Sequence, residues 1–82
     1  MASVIKMKTR IRDLREDKDI SQKFVAEYLR CDQSLYSKYE LGKREIPLYV
    51  IYKLARLYNT SMDYLVGLTD NPAPYEQGRP KK

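Results

Sequence analysis

The sequence predicts an all-α fold, a compact domain of five helices, and three observations carry that expectation. Apolar residues recur at the helical spacings i, i+3, i+4 and i+7 through most of the chain. No stretch alternates with period two for long enough to make a strand, and no Asn-Gly or Asp-Gly pair marks a hairpin. Residues that start and stop helices fall at the edges of the periodic segments, with Ser21, Asp32 and Ser61 at starts and Gly42, Asn59 and Gly67 at ends.

The first helix is expected from about Lys6 to Lys18, with Met7, Ile11 and Leu14 facing inward and charged residues around them. Ser21 caps a second helix of two turns, whose stripe is Phe24, Val25, Tyr28 and Leu29 with Ala26 beside it. After the break Arg30-Cys31-Asp32, Asp32 caps a third helix from Gln33 to about Leu41, and its charge suits the positive end of that helix. Tyr36 and Tyr39 give this helix an apolar side, and Gly42 fits the left-handed position that ends it. Pro47 suits the first position of a fourth helix with Leu48, Ile51, Leu54, Ala55 and Tyr58 as its stripe, closed by Asn59. Ser61 caps a last short helix with Met62, Tyr64, Leu65 and Val66, closed by Gly67. The domain is therefore placed at residues 5–68 and a flexible basic tail, rich in proline and polar groups, at 69–82.

With 43% hydrophobic and 33% charged residues, the 82-residue chain has the composition of one ordinary globular domain. Setting the tail aside leaves roughly 65 residues, near the lower limit for folding by packing alone. Cys31 is the single cysteine and histidine is absent, so the chain has no internal disulfide and no usual zinc ligand set. With no glycine-rich phosphate loop and no nucleophile–base pair in view, an enzyme is the poorest reading, and no catalytic residue, metal or cofactor is expected. No apolar run approaches the roughly 18 residues needed to cross a bilayer, and the first residues lack a secretion signal; a cytoplasmic protein without membrane contact is expected. The net charge of +5 favours polyanions, but Arg79, Lys81 and Lys82 supply +3 of it, so the folded part is mildly basic.

The informative unit is Ser21 to Gly42. Two short helices separated by a three-residue turn cannot lie antiparallel, so they cross steeply, which is the helix-turn-helix arrangement that seats its second helix in a DNA major groove. Ala26 is small where the helices would pass closest, and Val25, Leu29, Cys31, Tyr36 and Tyr39 are apolar where side chains must face the core. Gln33, Ser34, Ser37 and Lys38 are polar where a groove would be faced, and glutamine and lysine suit adenine edges and guanine acceptors respectively.

The stretch from Ile11 to about Leu68 resembles the lambda-repressor/Cro-like, or XRE, family of helix-turn-helix DNA-binding proteins. The matching text is Ile11-Arg-Asp-Leu-Arg-Glu, Ile20-Ser-Gln, Val25-Ala-Glu-Tyr-Leu, Ser37-Lys-Tyr-Glu-Leu-Gly-Lys-Arg, Pro47, Leu54-Ala-Arg-Leu-Tyr and Ser61-Met-Asp-Tyr-Leu. The resemblance implies a phosphate contact for Gln22, base or phosphate contacts for Gln33, Ser34, Ser37 and Lys38, and phosphate contacts for Lys43 and Arg44, and the capping Asp32 is counted with them among the DNA-binding residues. It also implies an ion pair between Arg15 and Glu40 that ties the first helix to the third. One departure stands out: Arg30 occupies a turn position where the family usually has glycine in a left-handed conformation, at a cost of about 1 kcal/mol.

Eight tyrosines are many for this length, and Tyr49, Tyr52 and Tyr64 are hard to bury. With Met62 they are expected to form a homodimer surface on the fourth and fifth helices, which would set two recognition helices about 34 Å apart on double-stranded DNA. The resulting expectation is a transcriptional regulator, a repressor on a two-fold symmetric operator. The alternative is an antitoxin-like protein-interaction module with a protein partner and secondary DNA binding.

Overall fold

A computed structural model describes residues 9–74, which form α1 (Ile11–Asp17), α2 (Gln22–Leu29), α3 (Gln33–Leu41), α4 (Leu48–Tyr58) and α5 (Met62–Leu65). No strand occurs among the described residues, and none of their helices is long and apolar enough to cross a membrane. The expectations placed on Lys6, Met7 and the last eight residues lie outside them.

α1 begins later than its periodicity predicted. Thr9 and Arg10 are not helical, because the Arg10 N–H donates to the Leu65 carbonyl at 2.9 Å and draws the chain out toward α5. The Arg10 guanidinium completes the attachment by donating to the Tyr64 and Thr69 carbonyls and to Asp70 Oδ1, and it stacks over the Tyr64 ring at 4.1 Å. Ser21 and Ser61 cap α2 and α5 as expected, each Oγ accepting a backbone N–H three residues on at 3.0 Å. Asp32 is a correction in part: its backbone is in cap geometry, but its carboxylate makes no capping hydrogen bond. Pro47 stands one residue ahead of α4 as its cap.

All five helices end alike. Each is followed by a left-handed residue, directly after α2, α3 and α4 at Arg30 (φ 64), Gly42 (φ 76) and Asn59 (φ 54), and one residue further on after α1 and α5 at Asp19 (φ 60) and Gly67 (φ 86). In each case the next N–H reaches back to a carbonyl of the last turn, as in Cys31 to Ala26 at 3.0 Å, Lys43 to Lys38 at 2.9 Å and Leu68 to Asp63 at 2.8 Å. Arg30 thus adopts the conformation that the resemblance implied.

The core comprises Ile11, Val25, Ala26, Leu29, Tyr36, Tyr39, Val50, Ile51, Leu54, Ala55, Tyr58 and Leu65, with Leu14, Ile20, Cys31 and Leu35 among the residues packed against it. Two stripes differ from expectation. Phe24 is 48% exposed and Tyr28 is also partly exposed, because α2 turns Val25, Ala26 and Leu29 inward so that the small Ala26 lets α3 approach. Tyr28 lies across α4 instead, its hydroxyl donating to the Lys53 carbonyl at 3.1 Å. On α4, Leu48 is 71% exposed and Val50 takes its place in the core. Helical side chains lean toward the N-terminus, so at the first position of α4 Leu48 points past the end of the helix. The described start of the tail lies against the domain, where Thr60 Oγ1 donates to the Pro72 carbonyl at 2.6 Å and Asp70 pairs with Arg10.

Candidate nucleic-acid interface

α2 and α3 are joined by Arg30-Cys31-Asp32, and each contributes one side to a shared core seam: Val25, Ala26 and Leu29 from α2, Tyr36 and Tyr39 from α3. The Tyr36 and Tyr39 rings meet edge to face, with centroids 6.4 Å apart. Burying these residues turns the opposite side of α3 outward. There Gln33, Ser34 and Lys38 are exposed and Ser37 is half-buried, so all four candidate readers share one face. Asp32 is exposed at the head of this face. Lys43 and Arg44 stand at its foot, also exposed, directly after the left-handed Gly42.

The face is framed by cations. Lys23, Arg30, Lys38, Lys43 and Arg44 form no ion pair among the described residues. Leu41, 59% exposed, shares the face with Ser34 and Ser37 at spacings of seven and four, a position to which the sequence assigned no role.

Behind the face lies a polar cluster. Arg15 binds Glu40 in a two-pronged pair, Nε to Oε2 at 2.6 Å and Nη2 to Oε1 at 3.2 Å, and its Nη1 donates to the Ile20 carbonyl at 2.9 Å. This is the expected tie between α1 and α3. Burial by itself would raise the Glu40 carboxyl, but the Arg15 bonds and its other partners outweigh it and hold the group below the ordinary carboxylate range. Gln22 joins the cluster, its Nε2 donating to Glu40 Oε1 at 3.0 Å, a link between α2 and α3 that no sequence spacing announced. The hydroxyls of Tyr36 and Tyr58 are buried nearby without a hydrogen-bond partner among the described residues, and burial pushes both phenols up, Tyr58 to about 12.

A packed pair of short helices joined by a three-residue turn, a polar outward face on the second and cations at both of its ends without ion pairs among the described residues together define a helix-turn-helix unit. Residues 11–65 match the family model described as Helix-turn-helix, and the chain belongs to that family. It is 40% identical over 65 residues to the uncharacterized HTH-type transcriptional regulator YobD of Bacillus subtilis, covering 79% of this chain and 58% of that one. It is 36% identical over 58 residues to the HTH-type transcriptional regulator ImmR of the same organism (71% and 46%). To the cryptic phage CTXphi transcriptional repressor RstR of Vibrio cholerae it is 34% identical over 58 residues (71% and 52%). The chain spans about half the length of the curated relatives it matches. No solved structure matches it.

Proposed function

We propose that this chain is a sequence-specific DNA-binding transcriptional regulator, a repressor that occupies a two-fold symmetric operator in the major groove. The observation that carries the reading is the outward face of α3, where Gln33, Ser34, Ser37 and Lys38 lie together above a core that buries Tyr36 and Tyr39. Gln33 and Lys38 read base edges, Ser34 and Ser37 contact bases or adjacent phosphates, and Asp32 stands at the rim. Gln22, Lys43 and Arg44 hold phosphates. The names of the relatives, regulators and a phage repressor among them, support the same reading. The protein acts in the cytoplasm by binding rather than catalysis, and as a homodimer through α4 and α5. The 59% exposed Tyr49 and 50% exposed Tyr52 support that surface.

Selection of bound sites from random duplex DNA tests the proposal: a two-fold symmetric motif is expected, and recovery of no motif would sink it. Gln33→Ala relaxes preference at one base position, whereas Lys43→Ala weakens binding to all sequences and lowers the salt slope by about one. Identical behaviour of the two variants refutes this division of labour. Sedimentation showing only monomer at high micromolar concentration, with and without DNA, refutes the dimer.

The same exposed aromatics on α4 favour a second reading, an antitoxin-like module whose main partner is a protein. Duplex selection yielding no motif, with a pull-down that loses its partner on Tyr52→Ala, would favour it.

A further inference from the structure

Glu40 already has a task in holding Arg15, yet its Oε1 also accepts the Gln22 amide. Gln22 is the first residue of α2, half-buried, at the end where α2 would meet a phosphate. An ionised carboxylate can accept hydrogen bonds but cannot donate them. The Gln22 amide therefore has one permitted orientation, with Nε2 turned inward to Glu40. Its second N–H makes no hydrogen bond among the described residues. The Glu40 side chain is only 3% exposed and fixed by two bonds from Arg15, so the acceptor itself cannot swing away.

We propose that Glu40 is a positioning residue for DNA binding: it orients the Gln22 amide so that the remaining N–H, not the carbonyl, is presented to a backbone phosphate. A glutamine amide free in solvent samples several side-chain rotamers and both flips, and a flipped amide sets its oxygen against the phosphate oxygens. Holding it in place removes an ordering cost worth about tenfold in affinity. The Arg15–Glu40 pair thus joins the interior of the domain to its phosphate contact. This inference rests on the DNA-binding reading of α2, and its test separates the two.

The test compares two uncharged replacements of the ion pair, neither of which strands a buried charge. Arg15→Met with Glu40→Gln keeps a side chain that can still accept from Gln22, although its amide no longer forbids the flipped orientation; Arg15→Met with Glu40→Leu removes the partner altogether. Affinity is measured for random-sequence duplex DNA at one low salt concentration, because a phosphate contact is indifferent to sequence. The glutamine variant should bind more tightly than the leucine variant, by up to about tenfold. Adding Gln22→Ala should erase that difference by weakening the glutamine variant alone.

Equal affinities of the two pair variants, or an unchanged gap after Gln22→Ala, would overturn the proposal and leave DNA binding intact. A native protein that fails to bind duplex DNA would overturn the DNA reading and this inference with it. If either pair variant does not fold, the native side-chain amide signals of Gln22 decide. One slowly exchanging, hydrogen-bonded Nε2 proton beside one fast-exchanging proton is expected; two fast-exchanging protons would overturn the proposal.

Discussion

Arg30 offers a substitution in which stability and DNA affinity should part company. The residue is left-handed at φ 64, ψ 45, exposed, and free of ion pairs among the described residues. Its backbone closes α2 through Arg30 N–H to Glu27 O at 3.1 Å and Cys31 N–H to Ala26 O at 3.0 Å, so the conformation cannot relax without opening the turn. A side chain bearing a Cβ costs about 1–2 kcal/mol there. Glycine removes that strain but gives back about 0.4–1 kcal/mol through the greater freedom of the unfolded chain. Arg30→Gly should therefore be more stable than Arg30→Ala by about 0.8 kcal/mol, at the centre of a range of about 0–1.6, which is roughly 3–6 °C in Tm for a domain of this size. Alanine keeps the strain and loses the cation; glycine loses both. If Arg30 touches a phosphate, the two variants should show the same reduction in salt slope, by about one. Thermal denaturation beside a salt titration of duplex binding reads both quantities. An Arg30→Gly protein less stable than Arg30→Ala would refute the strain argument.

Other outcomes concern the interior. Glu40→Ala or Arg15→Ala strands one charge of a pair whose side chains are 3% and 13% exposed, and urea unfolding should show a loss of about 3 kcal/mol or more; the paired Met/Leu replacement should lose far less. Because the folded Glu40 carboxyl is held below its unfolded value, its stabilisation is present above the unfolded pKa and is lost as pH falls through the folded one. An acid titration followed by circular dichroism should show this limb, and the Met/Leu variant should lack it. Burial raises Tyr58 to about 12 and Tyr36 further, so their contribution is complete below the unfolded tyrosine value and fades as pH rises through the folded ones. Phenolate absorbance should show these two tyrosines ionising together with loss of structure, after the exposed ones. Ser21→Ala should cost about 1 kcal/mol by denaturation, and Asp32→Ala less, since only the serine makes the capping bond.

The fold was legible because its signals are local. Ser21, Ser61, Gly42 and Asn59 each declare a helix end through the conformation they permit, and each stands where that chemistry placed it. The errors arose where a tertiary neighbour decides. In α2, two turns of helix carry apolar residues on more than one side, and only the approach of α3 at Ala26 selects Val25 and Leu29 over Phe24 and Tyr28. Leu48 fits the α4 spacing, but position in the first turn leaves it nothing to pack on. Within the site, the shared face of Gln33, Ser34, Ser37 and Lys38 is a consequence of helical geometry once Tyr36 and Tyr39 are recognised as core. The Gln22–Glu40 bond and the Arg10 attachment join residues 18 and 54 or more positions apart, and no periodicity encodes them.

The Arg10 attachment also fixes where the chain enters and leaves the domain. Arg10 precedes α1, while Tyr64 and Leu65 close α5 and Thr69 and Asp70 lie just beyond it, so both ends of the fold meet at one point. A unit with adjoining ends behaves as a cassette. Closing residues 9 and 70 with a short linker and reopening the chain in the loop between α3 and α4 should leave the helices assembled. A partner fused at residue 9 or at residue 70 would hang from the same pole, at nearly the same reach from α3.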